Sequence, residues 1–315
     1  MTAAGICWKQ KDTPQPGPFL RRVSCLPGGV YGGRGGESLF SLAQSVRIRG
    51  AAGEPIPHTF KSLRRLEVEF RRSELSLVVA GPGTGKSLFA LFLAMTANVP
   101  VLYFSADSSS ATQVSRATAM ITGEDSKTVK HALTEGDFSE YEAALGKRWW
   151  TRFNFSARPT QQELELHLLC YLEVYGCTPH LLVVDNVTNV DTGAVGDAES
   201  FTFGLEGLCE YLDDMARATA AHVLGLHHVT GEHSDGLKPI PLSGVKGKVH
   251  RVPSLILTIH KEVDGMNSRI LNVSPVKNRE GFEDSSGGTF ASFRLNRSNL
   301  RLEELDEELP DLLSA

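Results

Sequence analysis

Short apolar runs separated by longer stretches of helical spacing dominate the chain from about Phe60 onward. The runs Leu75–Ala80, Val101–Ser105 and Leu181–Asp185 show no strict polar alternation, which marks strands covered on both faces. A helix follows directly from Lys86. A second spans Ser109–Thr122 and stops at Gly123, and a third covers Asp137–Lys147. Residues 159–176, PTQQELELHLLCYLEVYG, open on Pro-Thr and close on Gly, which are helix start and stop signals. Leu205, Leu208, Leu212 and Met215 recur at spacings of three, four and three, one face of a further helix. Strands are expected at 222–227, 254–260, 268–275 and 289–295, and the short connections between the last of these predict antiparallel pairing. The fold class is therefore α/β: a mostly parallel central sheet covered by helices, with late antiparallel strands.

Composition sets the limits of this domain. The first 36 residues are rich in Gly and Pro, including PGGVYGGRGG at 27–36, and such a segment buries too little apolar surface to hold a fold. Residues 1–72 carry twelve Lys/Arg against five Asp/Glu, whereas the last fifteen residues carry six acids and one cation, Arg301. The segment ESLFSLAQSVRIRG (37–50) has the spacing of a short amphipathic helix. The expected organisation is a flexible basic arm over 1–54, a folded domain over 55–300 and an acidic tail over 301–315. The net charge of −5 excludes a whole-protein basic field, so any nucleic-acid contact must use local patches. Five scattered cysteines with no CxxC pair suggest neither a disulfide framework nor a zinc site. No apolar run approaches the roughly 18 residues that span a bilayer. The expectation is a soluble, cytoplasmic protein without a membrane partner, in the host cytoplasm if the source is viral.

The chemistry is concentrated in AGPGTGKSLFALFLA (80–94). Three glycines within five residues stand directly against a helix, where glycine costs stability. A strand, a Gly-rich turn, Gly-Lys-Ser and a helix together form a phosphate-binding loop: backbone N–H groups turn inward around phosphate oxygens, and the helix N-terminus adds its own free N–H groups and positive dipole end. The nucleotide-binding run is Gly81, Pro82, Gly83, Thr84, Gly85, Lys86, Ser87 and Leu88. Lys86 reaches the outer phosphates of ATP, and the Ser87 hydroxyl is a ligand for Mg²⁺. Ala80 stands where the usual pattern begins with Gly. The second metal carboxylate is Asp185, which ends the buried run LLVVD about 100 residues later, at the strand edge where ligands bind in open α/β sheets.

Several further stretches, over roughly residues 55–297, resemble the ATPase domain of DnaB-type replicative helicases within the larger RecA-like group. PHTFKSLRRLEVEFRRSELSLVVAGPGTGKS resembles that family's lead-in helix, turn and phosphate loop. VPVLYFSADSSSATQVSRATAMITGED resembles its next strand and helix, AHVLGLHHV its sensor strand, and PVKNREG its Lys-x-Arg-x-Gly fingers. The resemblance implies that Asp107 stands where the family's water-orienting glutamate is found, one methylene shorter, and His228 where the family has its sensor glutamine. It further implies that Lys277 and Arg279 reach the ATP of a neighbouring subunit, hence a homo-oligomer, a hexameric ring or a filament. Each residue also has an ordinary reading: a helix N-cap for Asp107, a structural strand-end histidine for His228, and two solvated cations for Lys277 and Arg279.

Single-stranded DNA is the partner that the resemblance implies. The connection 229–252, VTGEHSDGLKPIPLSGVKGKVHRV, carries Lys238, Lys246, Lys248 and Arg251 among spaced glycines and no aromatic residue, a composition suited to backbone tracking without base choice. An ordinary basic surface loop is the other reading. The leading expectation is an ATP-hydrolysing DNA helicase or translocase acting on single-stranded DNA during replication. A RecA-like recombinase or recombination mediator is the alternative, and a nucleotide-regulated DNA-binding module with little turnover a third. A loader or primase partner is left open.

Overall fold

The computed structural model describes residue 45 and residues 49–192, 198–229, 231–245, 248–263 and 269–305. Apart from residues 45 and 49–54, the arm expected over 1–54 lies outside the described residues, and with it most of the segment read as an amphipathic helix. The described residues from Ala51 onward belong to one compact unit.

The apolar runs form the middle of a nine-stranded sheet in the order β3-β2-β4-β5-β1-β6-β7-β8-β9. Its strands are β1 (Leu75–Ala80), β2 (Val101–Ser105), β3 (Thr151–Asn154), β4 (Leu181–Asp185), β5 (His222–His228), β6 (Leu255–Val263), β7 (Arg269–Asn278), β8 (Ala291–Leu295) and β9 (Leu302–Glu304). Every residue of β1, β2 and β4 is buried, as the lack of alternation required. Pairing is parallel from β3 through β6 and antiparallel from β6 through β9.

The helices are α1 (Lys61–Arg65), α2 (Lys86–Thr96), α3 (Ser110–Thr122), α4 (Ser126–Glu135), α5 (Ser139–Gly146), α6 (Gln161–Tyr175) and α7 (Ala198–Thr219). Their ends follow local chemistry. Ser109 caps α3 and accepts from the Thr112 N–H, and Gly123 ends it in the left-handed region. Thr160 and Glu163 form a reciprocal capping box on α6, and Gly176 closes it. The core on one face of the sheet centres on Phe60, which stacks on Phe89 at 4.8 Å and meets Phe293 edge-on at 5.2 Å. The short helix α1 brings Phe60 and Leu63 into that core.

The domain extends beyond 55–300 at both ends. Gly53 N–H donates to the Arg72 carbonyl and Arg72 N–H to Glu54. At the other end Leu302 pairs with Leu295 in β9, and Glu304 accepts from both the backbone and the hydroxyl of Ser62. Arg301 donates to the Met120 and Ile121 carbonyls at the C-terminus of α3, where a cation satisfies otherwise open acceptors. The acidic composition of 301–315 hid this edge strand; residues 306–315 lie outside the described residues. No described helix is long and apolar enough to cross a membrane.

Candidate active site

The parallel strands all point the same way, so their C-terminal ends share one edge. Ala80 pairs with His228, Ser105 with Asp185, and Asp185 with Leu226. That register collects the phosphate loop, Asp107, Asp185 and His228 from four separate stretches of sequence.

The loop 81–85 turns from β1 into α2. Gly85 sits at φ +123° immediately before the helix, a conformation that side chains rarely tolerate, and it frees the first N–H groups of α2 to face outward. Lys86 is buried, and its Nζ lies 3.0 Å from both ring nitrogens of His228. Burial lowers the Lys86 pKa from the usual lysine value, while Asp185 and Asp107 oppose that shift. The Ser87 hydroxyl donates to Asp185 Oδ1 at 3.1 Å, and the Tyr103 hydroxyl donates to Asp185 Oδ2 at 3.1 Å. Burial pushes the Asp185 carboxyl up, with Ser87 and Lys86 opposing. A buried carboxylate beside a hydroxyl is a hard oxygen pair of the kind that Mg²⁺ takes, and a cation there would offset the cost of burying the charge. The Thr84 hydroxyl in the loop is buried against Gly236 with no hydrogen-bond partner among the described residues. These residues fit a nucleotide with Mg²⁺.

Asp107 stands at the same edge with its side chain 37% exposed. It is not the cap of α3, since Ser109 performs that role. Instead Asn186 Nδ2 donates to its Oδ2, and Asn189 Nδ2 donates to its Oδ1 at 2.8 Å. Asn186 Nδ2 also lies 3.0 Å from His228 Nε2, and that nitrogen is 3.6 Å from Asp107. Burial and then the Lys86 charge lower the His228 pKa, with Asp107 opposing. The neutral form of the ring offers one donor and one acceptor.

Four residues of this site carry no motif signal. Asn186 and Asn189 were visible only as the residues following Asp185. Tyr103 lay inside an apolar run. Arg269, at the start of β7, donates to the Gly83 carbonyl at 3.3 Å across a long sequence separation.

The basic connection 229–252 does not behave as one open loop. Val229, Ile240, Val245 and Val249 are buried. Its first part packs on the phosphate loop: a Cβ on Gly81 would meet the Ser234 carbonyl at 2.3 Å, and one on Gly236 would meet the Thr84 hydroxyl at 2.3 Å. Gly236 therefore serves internal packing rather than approach to an outside phosphate. Lys238 is exposed. Lys246 and the Lys248 side chain lie outside the described residues. Arg251 is largely exposed, with Glu206 at 3.6 Å.

Lys277 and Arg279 do face one side, as alternate residues should. Lys277 Nζ donates to the His250 and Arg251 carbonyls at 2.7 and 3.1 Å, and Arg279 to the Arg251 carbonyl at 2.9 Å. Burial, then the Arg279 charge, lowers the Lys277 pKa to about 8. Both lie toward the opposite edge of the sheet from the phosphate loop. Arg279 N–H bonds the Ser254 carbonyl and Ser254 N–H bonds Leu75, the first residue of β1. Gly81 is six residues further along that strand, about 20 Å away at 3.3 Å per residue.

The model of the AAA domain family matches residues 56–233. The Gene 65 protein of Mycobacterium phage L5 is 44% identical over 266 residues, covering 84% of this chain and 99% of that protein. The Gene 65 protein of Mycobacterium phage D29 is 45% identical over 230 residues, covering 73% and 99%. Among solved structures, a DnaB-like replicative helicase, described with its interactions with primase, matches at TM-score 0.66 and 16% identity. That match covers 84% of this chain and 65% of the helicase's own length. A second solved structure, an ATPase domain on its own, matches at TM-score 0.66 and 15% identity, covering 84% and 96%. At such identities the likeness establishes the fold, which is that of the DnaB-like helicase ATPase domains, in agreement with the sequence resemblance. The extent of the family and phage matches places the chain in the AAA domain family, together with the Gene 65 proteins of these mycobacteriophages.

Proposed function

We propose that the protein is an ATP-hydrolysing motor of the replicative-helicase type, assembled as a ring or filament and translocating on single-stranded DNA. The observation that carries this reading is the separation of cations: Lys86 stands at the phosphate loop, whereas Lys277 and Arg279 stand near the other end of the same sheet, beyond reach of their own loop. A second subunit placed edge to edge gives them a phosphate to serve. The DnaB-like helicase and the ATPase domain among the structural matches support it.

In this reading, the loop N–H groups and Lys86 hold the β- and γ-phosphates of ATP. Ser87 and Asp185 would hold Mg²⁺, which would supply neutralisation of phosphate charge. Tyr103 fixes the rotamer of Asp185. Asp107, braced by Asn186 and Asn189, orients water in line with the γ-phosphorus and accepts its proton as the bond to the β-phosphate oxygen breaks. His228, beside Lys86, donates a ring N–H toward the γ-phosphate and reports its loss to the connection that follows. Lys277 and Arg279 meet the charge that develops on the neighbour's equatorial oxygens. Lys238, Lys246, Lys248 and Arg251 contact the DNA backbone.

Strand displacement on a forked duplex tests this. The expected result is unwinding with ATP and none with a poorly hydrolysed analogue. Pairing of homologous strands with the analogue, without unwinding, would overturn the motor reading in favour of a recombinase.

A further inference from the structure

The β3 edge of the sheet carries a surface that the nucleotide site does not use. β3 pairs with β2 and ends the sheet order. Residues 147–158 read KRWWTRFNFSAR, with four Lys/Arg (Lys147, Arg148, Arg152 and Arg158) and no Asp/Glu, in a chain of net charge −5. Trp149 is 57% exposed and Phe155 37% exposed, high values for large rings that ordinarily seek cover.

The backbone that carries these rings is tied to α6, and the rings pack on neighbouring aromatics. The Tyr175 hydroxyl donates to the Trp149 carbonyl at 3.2 Å, and the Tyr171 hydroxyl to the Trp150 carbonyl at 2.5 Å. The Trp149 ring lies 5.5 Å from the Tyr175 ring, and Arg152 places its guanidinium 5.2 Å over that same ring. Phe155 stacks parallel on Phe153 at 5.8 Å, and Phe153 packs in turn on Tyr103 in the core. Exposed π faces thus stand on packed aromatics with cations beside them.

We infer that this edge is a second binding surface for single-stranded nucleic acid, with bases stacked on Trp149 and Phe155 and phosphates met by Lys147, Arg152 and Arg158. Single strands combine flat apolar bases with anionic phosphates, and the edge presents rings and cations on both sides of β3, Trp149 and Arg152 beside Tyr175 and Phe155 beside Phe153. No acid in 147–158 opposes phosphate. The surface lies five strand positions from β6, about 24 Å at 4.8 Å per strand, so it is separate from the backbone-tracking residues that precede β6. Stacking without hydrogen-bond readout makes the contact tolerant of sequence.

The test is photocrosslinking of full-length protein to oligonucleotides carrying 4-thiothymidine, with the attached peptides identified by mass spectrometry, alongside equilibrium titration with oligo(dT). Crosslinks to the peptide holding Trp149 or Phe155 are expected. Trp149→Ala should weaken binding by about fivefold or more, the loss of one stacked base. Trp149→Phe, which keeps a π face and guards against misfolding as the cause, should stay within about twofold. Arg152→Gln should lower the salt slope by about 0.7. ATP turnover without DNA should not change. Crosslinks confined to 229–252, with unaltered affinity in Trp149→Ala, overturn this inference and leave the motor reading standing. Trp149→Ala that dissolves the assembly with DNA affinity per subunit intact also overturns it and assigns the patch to a subunit contact. Absence of strand binding anywhere overturns both readings.

Discussion

Asp107→Asn separates chemistry from architecture at the nucleotide site. Each carboxylate oxygen of Asp107 takes one amide donor, from Asn186 on Oδ2 and from Asn189 on Oδ1. Asparagine keeps the shape but replaces one acceptor with a donor, so one neighbouring amide loses its partner. A hydrogen bond to a charged group is worth roughly 1.5–3 kcal/mol when sheltered, and with the side chain 37% exposed the loss falls near the bottom of that range or below it, about 1 kcal/mol. For a domain of this size that lowers Tm by about 2–4 °C. The loss in rate is far larger. A positioned base contributes about 10²–10⁴ in rate, roughly 3–5 kcal/mol of barrier, and a neutral amide cannot take the proton. The expected variant binds ATP within about threefold of the parent, melts a few degrees lower and turns over at least about a hundredfold more slowly. Asp107→Glu keeps a carboxylate and lengthens its reach by one methylene, so it should retain turnover that Asp107→Asn lacks. Phosphate release at saturating ATP, a nucleotide titration and a melting curve on the same preparations give all three numbers. An Asp107→Asn protein that melts lower but turns over within about threefold of the parent would refute the reasoning and leave Asp107 a structural brace for Asn186 and Asn189.

Lys86→Ala and Arg279→Ala should each lose nearly all ATP turnover alone, whereas mixed and co-assembled they should recover a measurable part, because an intact Lys86 site then meets an intact Arg279 from its neighbour; no recovery despite proven co-assembly would count against action across subunits. Acid should destabilise the fold through His222 and His227, which burial holds neutral with pKa values lowered to about 4. The unfolded chain takes up their protons near 6.5 and the folded one only near 4, so stability is full above pH 6.5 and falls toward pH 4 by up to about 1.4 kcal/mol per pH unit for each ring. Urea midpoints at about pH 7.5, 6 and 5 check this, and a flat profile across that range would contradict it.

What the sequence made legible follows from how strongly each element is constrained by its own residues. β1, β2 and β4 are buried on both faces, so their apolar runs could be nothing else, and the run after Gly85 had to be a helix because Gly-Lys-Ser has chemical purpose only at a helix start. Once those strands are parallel, geometry alone brings Asp107, Asp185 and His228 to one edge. β3 escaped notice because Thr151–Asn154 has no buried residue to mark it and is held by backbone pairing along one side. β9 escaped because one leucine among acids suffices to pair with β8. The amides that brace Asp107 were beyond reach for a different reason. Asparagine has the same look in a turn as in a site, and only the register of β2 against β4 decides which neighbour it meets. That register also bears on the two readings of Asp107. Beside Ser108–Ser110 the carboxylate looked like one of several candidate caps. In the fold Ser109 takes the cap of α3, and Asp107 is left two residues earlier at the sheet edge, facing Asn186 and His228. A carboxylate there contributes little to holding α3 and stands beside the Lys86 and Asp185 end of the loop, which makes the chemical reading the one worth testing first.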